Sequence, residues 1–128
     1  MSKGAMDFVA EAKKNVENLT PDQVVAELEN GNALLVDVRE PQERETAAIP
    51  GSISAPRGML EFYADSSLPS YHKEEFDPER RIILHCASGG RSALGASTLK
   101  EMGYKNVAHL DGGIKAWQEA GHPTEPGS

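Results

Sequence analysis

The segment Arg81-Ile82-Ile83-Leu84-His85 runs without a break into Cys86-Ala87-Ser88-Gly89-Gly90-Arg91-Ser92, and helical spacing of apolar residues begins at once. Few folds accommodate that junction. A short apolar run reads as a strand buried within a sheet, and such a strand feeding a glycine-bearing turn and a helix is the opening of a strand-helix-strand unit. Gly89 and Gly90 let successive backbone N–H groups turn toward one point, and the following helix adds its own unpaired amides and the positive end of its dipole. A free cysteine titrates near about 8.5, and helix N-termini or nearby cations lower that to roughly 3.5–7.5. Cys86 is therefore expected to be a nucleophilic thiolate at neutral pH. A lone cysteine is more commonly a small buried hydrophobe. The adjoining glycines, arginine and serine favour the reactive reading.

A chain of 128 residues is long enough for one domain with a real core and too short for two. Its single cysteine rules out an internal disulfide and a thiolate-rich zinc cluster, which fits a reducing compartment. Residues 1–8 lack the apolar run of a signal peptide, and no later segment approaches the length of a membrane span. A soluble cytoplasmic protein is expected. The net charge of −7 and pI near 5.0 argue against nucleic acid, because phosphate binding needs a basic face. Any anionic substrate must be drawn in by local donors.

Apolar residues Ala5, Phe8, Val9, Ala12, Val16 and Leu19 predict an N-terminal helix over residues 5–19. Thr20-Pro21-Asp22-Gln23 supplies an N-cap, a proline at the first helical position and a capping-box glutamine for a helix to residue 28. Residues 33–38 read as a buried strand, followed by a small helix through residue 45, a turn at Ile49-Pro50-Gly51, a brief strand over 53–55 and helical spacing over 57–64. Residues 71–79 allow a short helical turn. After the strand 81–85 come a helix over 91–102, a strand over 107–110 and a helix over 114–120. Strands alternate with helices, so the expected architecture is α/β, with a parallel sheet, helices on both faces and ligands bound beyond the carboxyl ends of the strands. The tail from Pro123 is expected to fray.

Four separated motifs, Asp37-Val38-Arg39-Glu40, Ile49-Pro50-Gly51, Cys86-Ala87-Ser88-Gly89-Gly90-Arg91-Ser92 and Asp111-Gly112-Gly113 with Trp117, stand in the order and spacing of a rhodanese domain. The chain resembles that family over residues 20–121, with residues 1–19 a separate helical segment and residues 122–128 a flexible tail. The resemblance implies a parallel sheet of about five strands and a cysteine that carries sulfur as a persulfide, with no metal and no organic cofactor. Its implied activity is sulfurtransferase, taking sulfur from thiosulfate or a persulfide or polysulfide donor to a thiol or cyanide acceptor. In two places the chain departs from the family's pattern: Ala48 where a histidine is frequent, and neutral Ala87 and Ser88 where the thiosulfate enzymes carry basic residues. Other readings are a phosphatase or arsenate reductase on the same fold and a non-catalytic binding module. Related phosphatases and reductases have one more residue before the arginine, which widens the amide ring for a tetrahedral oxyanion; six members, Cys86 to Arg91, suit a single terminal sulfur.

The residues around the loop carry further expectations. Arg91 either contacts the anionic end of a donor or pins the loop from behind. Ser92 either caps the helix or donates to the sulfur. Asp37 and Arg39, two apart at a strand end, form a supporting charge pair beneath the loop or act directly. Arg57, just after Pro56, is expected at the pocket rim as the donor-anion contact that Ala87 and Ser88 do not provide. His85 should face away from the sulfur, Trp117 and Ile114 should pack the last helix, and His72, His109 and His122 show no metal-ligand spacing.

Overall fold

A computed structural model describes residues 2–127. Five parallel strands are ordered β1-β5-β4-β2-β3, where β1 is Glu17–Leu19, β2 Ala33–Asp37, β3 Ile53–Ser54, β4 Arg81–His85 and β5 Val107–Leu110. The strand that delivers Cys86 is thus the central one, paired on both sides. Alternation along β4 divides its side chains: Ile82 and Leu84 join Cys86 on one face of the sheet, while Ile83 joins Leu35 and Ala108 on the other. All three β4 aliphatics are fully buried. Each contributes about 1.5–3 kcal/mol by leaving water.

The Cys86 face is covered by the helix α5, Gly90–Glu101, through Ala96 and Leu99, and by Leu60 at the start of the short helix α4, Leu60–Tyr63. The opposite face carries α2, Pro21–Glu29, through Val24, and α6, Gly113–Glu119, through Ile114 and Trp117. Thr20 accepts from the Gln23 amide while the Gln23 side chain accepts from the Thr20 amide, which is the capping box legible in the sequence. A short helix α3, Pro41–Thr46, follows β2, and a 3₁₀ turn, Arg57–Met59, leads into α4.

Three expectations are corrected. The N-terminal helix α1 is Ala5–Asn15 and stops short of residue 19; residues 17–19 are the edge strand β1, paired with β5, so the sheet reaches outside the span of the family resemblance. Residues 71–79 contain turns and no helix. The tail is docked: Ala48 and Glu125 exchange both backbone hydrogen bonds, the Gly127 amide donates to Arg44 O at 2.8 Å, and Trp117 Nε1 donates to Pro123 O. Ser128 lies outside the described residues. No helix among the described residues is long and apolar enough to cross a membrane.

Candidate active site

Cys86 follows β4 at the carboxyl edge of the sheet, and its backbone is fixed from behind by α6. The amides of Ile114 and Lys115 donate to the carbonyls of Cys86 and Ala87 at 2.9 and 3.2 Å. With its carbonyls held outward, the turn is free to aim amides inward. The Gly89 N–H reaches Sγ at 3.1 Å and the Ser92 N–H at 3.4 Å. Gly89 sits at φ 111 as the N-cap of α5, a left-handed conformation that a Cβ would strain. Cys86 itself is 1% exposed.

Arg91 is the pin. Its two terminal nitrogens bond both carboxylate oxygens of Glu43 on α3, at 2.8 and 3.1 Å. That forked pair lowers the Glu43 pKa and raises that of Arg91, hydrogen bonding being the largest cause in each case. Glu43 also accepts from the Glu40 amide, so the start of α3 and the loop are tied through one carboxylate.

Beneath the loop, Asp37 accepts from the Arg39 amide, from Nε and Nη2 of Arg39, and from Nη1 of Arg44, all at 2.9 to 3.1 Å. Burial alone would raise the Asp37 pKa, but the Arg39 hydrogen bonds and the surrounding positive charge hold it below the ordinary carboxylate range. Arg39 also donates to Ala47 O at 2.7 Å. Asp37 and Arg39 are therefore bonded to each other and to the frame. Arg44, not singled out in the sequence, is the third member. His85 faces this pair, with Nε2 3.8 Å from Asp37 Oδ2, and burial pushes its pKa down to about 4.

Arg57 is not brought to the loop. Its amide joins Val38 O at the carboxyl edge, but its guanidinium bridges α4 and α5, donating to Glu61 at 2.7 Å and to Thr98 at 3.2 Å. Thr98 lies six residues beyond Ser92, about 9 Å down the helix. A cavity of about 520 Å³ between α1 and α5 includes Arg57 in its lining and no member of residues 86–92.

The sequence set His109 aside as lacking metal-ligand spacing and gave it no part in the loop. Its Nδ1 lies 2.9 Å from Ser92 Oγ, and its Nε2 lies 2.7 Å from Asn18 Oδ1. Ser92 Oγ in turn lies 3.5 Å from Sγ. One signal was present: a polar ring inside the short apolar run Val107-Ala108-His109-Leu110 must find buried partners.

A cysteine held by amides in a loop at the carboxyl edge of a parallel sheet defines a class of α/β domains with a loop-borne cysteine. The rhodanese-like domain family model matches residues 20–120, and the chain belongs to that family. It is 31% identical over 119 residues to a probable adenylyltransferase/sulfurtransferase of Mycobacterium tuberculosis, covering 91% of this chain but only 28% of that protein's length. A sulfurtransferase of Allochromatium vinosum is 32% identical over 92 residues, 72% of this chain and 78% of that one. Among solved structures, a Rhodopseudomonas palustris protein of unknown function, described as a possible tyrosine phosphatase, is 41% identical at a TM-score of 0.91, covering 98% of this chain and 96% of that one.

Proposed function

We propose that the chain is a sulfurtransferase working through a Cys86 persulfide. The observation that carries the reading is the six-residue turn from Cys86 to Arg91, in which the Gly89 amide, joined by the Ser92 amide just beyond it, points at one sulfur and the arginine is paired with Glu43. The Cys86 thiolate attacks the outer sulfur of a donor such as thiosulfate; a new S–S bond forms, the old one breaks, and sulfite leaves with the bonding pair. The terminal sulfur of the persulfide carries the negative charge into the field of the loop amides. A thiol or cyanide acceptor then takes that sulfur and returns Cys86 to the thiolate. The cycle carries its sulfur covalently and calls on no metal or organic cofactor. Cytoplasmic reducing conditions keep the single thiol available.

Intact-mass measurement tests this directly. Thiosulfate or polysulfide adds the mass of one sulfur atom, cyanide removes it, and Cys86→Ser abolishes both the addition and turnover. Retained turnover in that variant would remove Cys86 as the nucleophile. The likeness to the Rhodopseudomonas palustris protein makes a phosphatase the second reading. Aryl phosphate hydrolysis is expected to be negligible beside sulfur transfer on the same preparation, since the ring is one residue short for a tetrahedral oxyanion. Phosphate turnover exceeding sulfur transfer reverses the order.

A further inference from the structure

The hydrogen-bonded chain that runs from the buried Cys86, Ser92 and His109 out to the exposed Asn18 has one consistent placement of its hydrogens. Asn18 Nδ2 lies 2.9 and 3.0 Å from the carbonyls of Lys13 and Val16, which only accept, so the amide nitrogen must face them and Oδ1 must face His109. Oδ1 also only accepts, so His109 carries its proton on Nε2. Burial favours the neutral ring and pushes its pKa down to about 4, with Asp111 opposing and Lys13 reinforcing the shift. Nδ1 is therefore a bare lone pair aimed at Ser92. Ser92 Oγ also lies 3.4 Å from the Gly89 carbonyl, but Nδ1 at 2.9 Å is the nearer acceptor and has no other donor, so the one hydroxyl proton goes to that nitrogen and lone pairs are left on the side of Oγ that faces Sγ. Cys86 as a thiol completes the chain by donating to Ser92.

We infer that His109 is a positioning residue that takes the Cys86 proton through Ser92 when the sulfur becomes a nucleophile. The inference rests on Cys86 being the nucleophile of the proposed sulfur transfer. The S–H bond breaks and its proton passes to Ser92 Oγ, while the hydroxyl proton of Ser92 passes to Nδ1. Sulfur keeps its electron pair and becomes the thiolate, the ring becomes imidazolium, and the net charge of the site is unchanged. Ser92 is now turned around: it accepts from Nδ1–H and donates to the anionic sulfur. The reverse shift restores the thiol after the acceptor has taken the outer sulfur.

The groups facing His109 are Ser92 from α5, Asn18 from β1, Lys13 from α1, Asp111 from the loop after β5, and the Cys86 turn. Lys13 and Asp111 pair with each other at 3.2 Å and largely cancel, so the imidazolium that burial disfavours is offset by the thiolate formed with it. Two of these elements, α1 and β1, lie before the family-matched span.

Alkylation of the sole cysteine by iodoacetamide reads thiolate formation without any sulfur donor. His109→Asn is the informative variant, because its Oδ1 can still accept from Ser92 but cannot take up a proton. It is expected to react roughly tenfold to a hundredfold more slowly than wild type at about pH 6, with the deficit closing toward about pH 10 as hydroxide replaces the base. Ser92→Ala should show the same pH-dependent deficit, and the double variant should be no slower than either. A wild-type rate in His109→Asn, or one constant deficit at every pH, overturns the relay. If His109→Asn does not fold, Ser92→Ala carries the same test by losing a single oxygen. Loss of the pH-dependent deficit together with normal persulfide formation sinks the relay alone. The expected alkylation profile without persulfide formation sinks the sulfur-transfer reading alone.

Discussion

A methyl group placed on Gly113 would stand 2.5 Å from the backbone carbon and oxygen of Ala87, and Gly113 also sits at φ 63. The close approach lets the first amides of α6 reach the Cys86 and Ala87 carbonyls. Gly113→Ala is therefore expected to cost about 2–5 kcal/mol, the sum of left-handed strain and overpacking against backbone. It should also slow sulfur transfer roughly tenfold or more, because the loop must shift to make room. Thermal unfolding and steady-state turnover on one preparation check both. A second test concerns Arg91, which the sequence left between two roles. As a pin it is interchangeable with Glu43: Arg91→Ala and Glu43→Ala should slow transfer by similar factors, with a double variant no slower. The pair is a third exposed, so its worth to stability is only about 0.5–1 kcal/mol. A much larger loss from Arg91→Ala alone would return Arg91 to the substrate. Cys86 and its turn were legible because glycines, strand and helix start are consecutive in the chain. Ser92 was legible only as a pair of alternatives, since its choice depends on His109, seventeen residues away, and on Asn18, across the sheet edge.

Elements read well where local signals marked both ends and poorly where they depended on a distant partner. The strands at 81–85 and 107–110 and the capped helix α2 stand where spacing put them. Leu19 fits the helical period of α1 as well as the inward face of a three-residue strand, and nothing local separates the two. What decides is β5, which pairs Glu17, Asn18 and Leu19 with Ala108, His109 and Leu110. Arg57 failed differently. Its backbone lies at the carboxyl edge as expected, but the i,i+4 partner Glu61 on α4 and Thr98 on α5 hold the guanidinium. The helix α1 packs Val9 and Ala12 against Ala93 of α5, and Val9 also lies beside Gly90. Val9→Ala should lower stability by about 1–1.5 kcal/mol in a denaturant titration. It should also slow Cys86 alkylation, because α1 carries the Lys13 carbonyl that orients Asn18. Full activity in a destabilised Val9→Ala protein would make α1 a stabilising strap and nothing more.

Across the whole molecule, two buried histidines tie stability to pH. His85 and His109 are each lowered to about 4 in the folded protein, mainly by burial, and recover the ordinary value of 6.5 on unfolding. Folded values below the unfolded ones mean that the unfolded chain binds more protons as pH falls. Their contribution is fully present above about pH 6.5 and drains away toward pH 4, at about 1.4 kcal/mol per pH unit for each ring. Asp37 follows the same sign lower down: it is held below the carboxylate range, so its contribution is complete above about pH 4 and is lost only in stronger acid. Self-repulsion works the other way, because acidification from neutral pH toward the pI near 5.0 reduces the net charge of −7. Those surface charges are screened over about 8 Å at physiological salt, whereas burial of the imidazoles is not, so the histidines should dominate. The melting temperature is expected to hold steady between about pH 8 and 7 and to fall steadily below about pH 6.5. His109→Asn removes one of the two rings. It should halve the slope of unfolding free energy against pH between about pH 6 and 5, even if it also lowers stability at neutral pH. An unchanged slope would mean that His109 titrates in the fold much as it does in the unfolded chain, and the neutral ring on which the hydrogen-bond order from Asn18 to Cys86 depends would be lost with it.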